Sequence, residues 1–160
     1  MPPMNLGMDV RTKGFTLVEI LITLTVLGVL AAIVAPNLLG LLNRQRMNAV
    51  RGEILLALEQ AQSNAKTTGS DQVVRFDTTA DPPRYSIGTS WRNFNGISAG
   101  QIRLVTTAPS IQFNHQGLPD QEVIPFIATV SLVNFPNSKK CVMVKTLLGA
   151  MGTYEDSQCD

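Results

Sequence analysis

The sequence predicts an α+β fold: a long amino-terminal helix, first transmembrane in character and then amphipathic, packed against antiparallel β-sheets. Three observations carry this expectation. From Ile20 to Ala35 there is no charge and no strong breaker, with Thr23, Thr25 and Gly28 the only relief. Beyond it, Met47, Val50, Ile54, Leu58, Ala61 and Ala65 recur at steps of three or four, which traces one buried face of a helix. From Gln72 onward the chain breaks into short alternating segments separated by Gly, Pro and Asn, as strands and turns do.

The apolar stretch is extended by Phe15 to Val18 on one side and Leu38 to Leu42 on the other. A bilayer core needs roughly 20 apolar residues in a helix, so residues 15–42 are expected to cross one. Glu19 stands one turn into that stretch. An ionised group placed there costs on the order of 2.5–3.5 kcal/mol on insertion scales, so it calls for a partner and a purpose. Pro36 removes a backbone donor and crowds the preceding turn, which predicts a kink over residues 32–36, and Gly40 adds a second weak point. A secretory signal peptide is the competing reading of the amino terminus. It fails because the only nearby cleavage candidate ends at Ala35, with Ile33 where a small residue is needed and Pro36 just after the cut.

After Leu42 the amphipathic half begins, with Leu55 widening its apolar stripe and Arg44, Arg46, Arg51, Glu59 and Lys66 falling largely off it. Gly69, after Thr67-Thr68, marks the expected helix end. Residues 72–76, 84–87, 101–105, 110–113, 126–133 and 141–146 read as strands. Residues 91–100 read as a polar loop and 134–138 as a turn. Trp91 and Phe94 serve equally well as core anchors or as exposed contacts for a partner.

The chain has 13 basic and 12 acidic side chains among 160 residues, a balance that argues against a strong electrostatic partner such as bulk nucleic acid. His115, the single histidine, lies beside Gly117 and Pro119 and reads as a turn residue. The sequence contains no Gly-rich phosphate loop, no HExxH and no CxxC, and neither a cofactor nor an enzymatic activity is expected. Glu155, Asp156 and Asp160 lack a regular calcium-ligand spacing and read as a solvated acidic tail. Cys141 and Cys159 have two readings, a disulfide if the domain is exported or two reduced thiols if it is not.

Gly14-Phe15-Thr16-Leu17-Val18-Glu19, preceded by Lys13 and followed by the apolar helix, resembles the prepilin processing motif of type IV pilins and type II secretion pseudopilins. The resemblance implies that residues 1–14 are a leader, removed by a prepilin peptidase that cuts after Gly14. It also implies that the new terminus at Phe15 is N-methylated and that Glu19 pairs with the terminal amine of a neighbouring subunit during filament assembly. Pro36 falls where many family members carry a helix-kinking proline. The expected divisions are then a leader over 1–14, a membrane and assembly helix over 15–42, the amphipathic half over 43–69 and a β-rich part over 70–160. The expected place is the bacterial inner membrane, single-pass with the carboxy-terminal domain outside the cytoplasm, and then a periplasmic or surface filament. Basic residues flank both ends of the span, so the motif rather than the charge count sets this orientation. The family's habit of closing a carboxy-terminal loop favours the Cys141–Cys159 disulfide.

Within the family, residues 111–117 and Cys141-Val142-Met143-Val144 followed by Leu147-Leu148-Gly149 are similar to the GspH/FimT branch of minor pilins. DNA-binding members of that branch carry a Gly-Arg-x-Arg element. Here the matching stretch is Gly149-Ala150-Met151-Gly152, without either arginine. Lys139, Lys140 and Lys145 are the nearby cations that would have to replace them. The expected partners are therefore other pilin subunits, the prepilin peptidase and methylase, and the inner membrane. DNA uptake stands second, and a tethered enzyme third.

Overall fold

A computed structural model describes residues 14–159, without the side chains of residues 34–37 and 39. The leader expected over residues 1–14 falls outside this description except for Gly14, and so does Asp160. The chain divides into two compact units, Met1–Gly40 and Leu41–Asp160.

Helix α1 runs Leu17–Thr68, 52 residues. The backbone is helical through both Pro36 and Gly40, the positions expected to weaken it. Thr16 caps the start: its Oγ1 accepts the Glu19 N–H at 3.2 Å, and its carbonyl accepts the Ile20 N–H. At the other end Gly69 takes φ +62°, the left-handed conformation that closes a helix most readily at glycine.

In the second unit, eight strands form two four-stranded sheets. The first has the order β3-β2-β1-β5, built from β1 (Gln72–Asp77), β2 (Arg84–Ile87), β3 (Ser90–Asn93) and β5 (Ser110–Phe113). The second has the order β4-β6-β7-β8, built from β4 (Ile102–Thr106), β6 (Phe126–Leu132), β7 (Phe135–Val144) and β8 (Met151–Glu155). All pairings are antiparallel.

Met47, Val50, Ile54, Leu58, Ala61 and Ala65 of the expected helical stripe are all buried, joined by Ala57, while Leu55 is partly buried against them. These side chains enter one core with Val74, Phe76, Ile111 and Phe113 from the first sheet and Leu104, Phe126, Val130 and Val142 from the second. The stripe is thus the seam along which both sheets pack. Full burial of a residue such as Leu58 or Ile54 contributes roughly 1.5–3 kcal/mol, which is how a domain of this size secures its fold.

Three expectations need correction. Residues 90–93 are a strand, β3, although 91–100 read as a loop. This edge strand is held by backbone bonds to β2 and shows no apolar alternation because all four of its residues are exposed. The turn expected over 134–138 is shorter, since β7 already begins at Phe135. There Leu132 pairs with Phe135 and Ser131 with Lys139, so residues 136–138 bulge out unpaired. Pro136, which has no N–H to give a ladder, sits within that bulge. Finally, the carboxy-terminal acidic tail is structured: Glu155 ends strand β8, and Asp156 accepts the Lys139 N–H at 3.1 Å.

Candidate assembly segment

The first unit presents a helix that is apolar on all sides. Leu17, Val18, Ile20, Leu21, Ile22, Leu24, Val26, Leu27, Val29, Leu30 and Ile33 are all large and exposed, and Phe15 precedes them at 78% exposure. A stripe would show a preferred side. An all-round apolar surface is stable only when lipid or other helices surround it.

The polar groups of this stretch are disposed accordingly. Thr23 Oγ1 donates to the Ile20 carbonyl at 2.9 Å, and Thr25 Oγ1 donates to the Leu21 carbonyl at 2.7 Å. Each hydroxyl is satisfied by the helix itself and asks nothing of the surroundings. Glu19 is the exception. Its backbone N–H is used by the Thr16 cap, but its carboxylate has no hydrogen-bond or ionic partner among the described residues. Thr16-Leu17-Val18-Glu19 has the pattern of a capping box, and a negative charge in a helix's first turn suits the helix dipole. Neither contact replaces the hydration that an apolar environment would remove.

Among the described residues no helix is long and apolar enough to cross a membrane. The stretch with described side chains, Leu17–Ile33, stops short of the roughly 20 residues a span requires. The span expected over residues 15–42 therefore exceeds what the described side chains display.

The second unit fixes the remaining residues singled out in the sequence. Cys141 on β7 and Cys159, in a short 3-10 turn after β8, are joined by a disulfide and buried with Met143. This bond pins the carboxy terminus to the second sheet. Glu155 receives Lys140 Nζ at 2.7 Å and Arg51 Nη1 at 2.9 Å, an ion triad joining α1, β7 and β8. Lys140 first, and then Arg51, holds the Glu155 carboxyl below the usual carboxylate range. Lys145 Nζ lies 3.9 Å from the centre of the Tyr154 ring. Lys140 and Lys145, considered for a phosphate-binding role, are therefore already engaged within the fold.

His115 is exposed in the turn after β5, where its N–H bonds to Asp71. Phe94 is a core anchor against Tyr85, ring centres 5.0 Å apart, whereas Trp91 is 46% exposed. The two readings held for this aromatic pair thus divide between them. Gly14, Phe15 and Glu19 belong to one unit and the cysteines to the other.

One cluster had no signal in the sequence. From within α1, Gln62 Nε2 donates to the carbonyl of Gly117 at 3.0 Å and to that of Gly149 at 3.3 Å. It clasps the loop after β5 to the loop between β7 and β8. Both glycines have positive φ, and a side chain at Gly149 would collide with the Gln62 amide.

A family model described as a prokaryotic N-terminal methylation motif matches residues 10–35. The chain is similar to the type II secretion system core protein G of Aeromonas hydrophila, 36% identical over 84 residues, which cover 46% of this chain and 57% of that protein. It is similar also to the Klebsiella pneumoniae protein of the same name, 41% identical over 69 residues, 43% of this chain and 46% of that one. The chain thus spans about half the length of the curated relatives it matches. Among solved structures it resembles the Pseudomonas aeruginosa type IV minor pilin FimU, with TM-score 0.57 at 12% identity over 69% of this chain and 90% of that one. It also resembles the minor pseudopilin EpsH of the Vibrio cholerae type 2 secretion system, with TM-score 0.51 at 14% identity over 68% of this chain and 96% of that one. At such identities the likeness is one of fold.

Proposed function

We infer that this chain, a type IV pilin-like protein by its amino-terminal motif and its fold, is a structural minor subunit of a type IV pilus or a type II secretion filament. The observation that carries this reading is the amino-terminal stretch of α1, apolar on every side, whose one carboxylate, Glu19, has no partner among the described residues. Such a surface suits lipid before assembly and neighbouring helices after it.

In this reading a prepilin peptidase removes residues 1–14 by cutting after Gly14, and the Phe15 amine is then methylated. Residues 15–42 hold the subunit in the inner membrane, with the carboxy-terminal domain outside the cytoplasm, until extraction into the filament. Residues 43–69 serve as the wall on which the β-rich part, residues 70–160, is built. Pro36 is the kink point that lets the apolar half adjust as subunits pack. The Glu19 carboxylate pairs with the Phe15 amine of a neighbour. Each charge alone loses several kcal/mol on leaving water, and pairing recovers much of that loss. Methylation leaves the amine basic, so the pair survives the modification. The role is one of assembly, with no cofactor and no reaction.

Two measurements test this. Intact mass and amino-terminal analysis of protein from membranes should give a chain starting at methylated Phe15; a working form that still begins at Met1 removes the reading. Glu19→Ala should be cleaved normally yet enter filaments poorly. Equal incorporation of variant and wild type would show that the carboxylate has no part in assembly.

DNA uptake stands behind this reading. Lys140 is bound to Glu155 and Lys145 to Tyr154, and the arginine pair of DNA-binding relatives is missing at Gly149-Ala150-Met151-Gly152.

A further inference from the structure

The first sheet turns one face to the core and the other away from it. Val74, Phe76, Tyr85, Ile111 and Phe113 line the core face. On the opposite face, cross-strand register sets Ser110, Arg75, Ser86 and Trp91 in one row across all four strands. Three strand spacings separate the ends of that row, about 14 Å. Ser86 is buried in the middle of the row, and an open groove of about 480 Å³ is lined by three other members of the row, Ser110, Arg75 and Trp91, together with residues 76–79 and Pro109.

Trp91 is the single tryptophan of the chain and is 46% exposed. Its ring is held on one side by the Arg84 guanidinium, 5.1 Å from the ring centre. Arg84 is itself fixed by Asp77, which accepts its Nε and Nη2, each at 2.9 Å. The Asp77 carboxylate is further saturated by the Thr79 hydroxyl and the Thr79 and Ala80 N–H groups. A large aromatic ring is thus immobilised at the surface before any partner arrives, which lowers the entropy lost on binding.

The groove also holds unused hydrogen-bonding capacity. The Trp91 Nε1–H and the hydroxyls of Thr78 and Ser110 have no partner among the described residues. Arg75 spends Nη1 on the Gly88 carbonyl at 2.8 Å and keeps its other donors. Arg84 is already paired with Asp77, which leaves Arg75 as the single uncompensated cation of the lining. A nucleic acid needs a track of unpaired cations for its phosphates. This groove offers a fixed aromatic platform ringed by hydroxyls and fork-shaped donors, which matches a ligand with apolar C–H faces and many hydroxyls.

We propose that the outward groove of the first sheet, with Trp91 as its platform, is a binding site for a neutral, hydroxyl-rich oligosaccharide. The length of the row suits a short chain of sugar rings rather than a single ring. One ring stacks on Trp91, and Arg75, Thr78 and Ser110 bond the hydroxyls of the rest. The groove lies on the sheet face opposite the core, so a partner reaches it without disturbing the packing of the helical stripe from Met47 to Ala65. The inference does not depend on the filament reading.

The test uses the full chain in a detergent without a sugar headgroup, titrated with chitohexaose and with cellohexaose. Trp91, as the lone indole, reports directly through its emission. A saturable shift with either probe is expected, and calorimetry should find it weakened about tenfold in Trp91→Ala and clearly weakened in Arg75→Gln. Thr78→Val, at an exposed and unbonded position, supplies a further variant that does not put the fold at risk, and it too should bind less tightly. The proposal is overturned by any of three results: no saturable change with either probe up to millimolar concentration, unchanged affinity in all three variants, or tighter binding of oligothymidylate or a proline-rich peptide at the same groove.

Discussion

Gln62→Ala is the substitution whose consequence can be worked out most fully from the contacts. The two N–H groups of the Gln62 amide serve the carbonyls of Gly117 and Gly149, and both glycines are buried. Alanine removes both donors, and water cannot easily replace them. A typical hydrogen bond contributes about 0.5–1.5 kcal/mol net, while a buried carbonyl left unsatisfied costs about 1–3 kcal/mol. The contact to Gly149, at 3.3 Å, is the longer and weaker of the two. Weighting it at half gives a loss of about 2 kcal/mol. For a folded unit of this size that corresponds to a fall in melting temperature of about 6–10 °C. The assay is thermal unfolding of the full chain in detergent, followed by circular dichroism in the β region. Gln62→Glu should do at least as badly, because an ionised carboxylate brings acceptors to two acceptors. A Gln62→Glu protein that melts with the wild type at neutral pH would refute the clasp. The effect should also be local, with the loops after β5 and between β7 and β8 losing amide-exchange protection before the sheets do.

Acid should loosen the fold through two carboxylates. Hydrogen bonds from the Thr79 hydroxyl and from Arg84 hold Asp77 below its ordinary value of 3.8, and Lys140 and Arg51 hold Glu155 below 4.5. A depressed folded-state value means that the contribution is complete above the unfolded-state value and is lost as pH falls through the folded one. Stability measured by denaturant titration should therefore be steady near neutrality and decline below about pH 4.5. Glu155→Gln should flatten part of that decline, and an unchanged profile would show the triad to be inert. Reducing the Cys141–Cys159 bond, or replacing both residues by serine, should lower stability by about 3 kcal/mol on the chain-entropy account. Equal denaturation midpoints with and without reductant would contradict this.

The helix was legible in the sequence to within a residue or two because its signals are local. An unbroken apolar run, a stripe stepping by three and four, and Gly69 at the end each act within one or two turns, whereas the Thr16 cap emerged only from the structure. Strands β1, β5 and β6 were legible for the same reason, since alternate side chains face one core and repeat every second residue. β3 and β8 were not. No residue of either is buried, so their order comes from backbone bonds to β2 and β7, and a backbone bond leaves no mark on side-chain pattern. In the candidate assembly segment, the helix start and Glu19 could be read because an acid in an apolar run is conspicuous wherever it occurs. The contacts that fix the globular part could not. Arg51 meets Glu155 across 104 residues, and Gln62 meets Gly149 across 87. On the helix alone, Arg51 and Gln62 look like ordinary residues flanking the stripe, and Glu155 looks like part of an acidic tail. Their roles arise only when both sheets close on α1. The same holds for the Trp91 row, where four residues from four strands acquire a common face through register rather than spacing. A residue whose partner lies within a turn declares its role in the sequence, whereas one whose partner arrives by sheet pairing does so only in the fold.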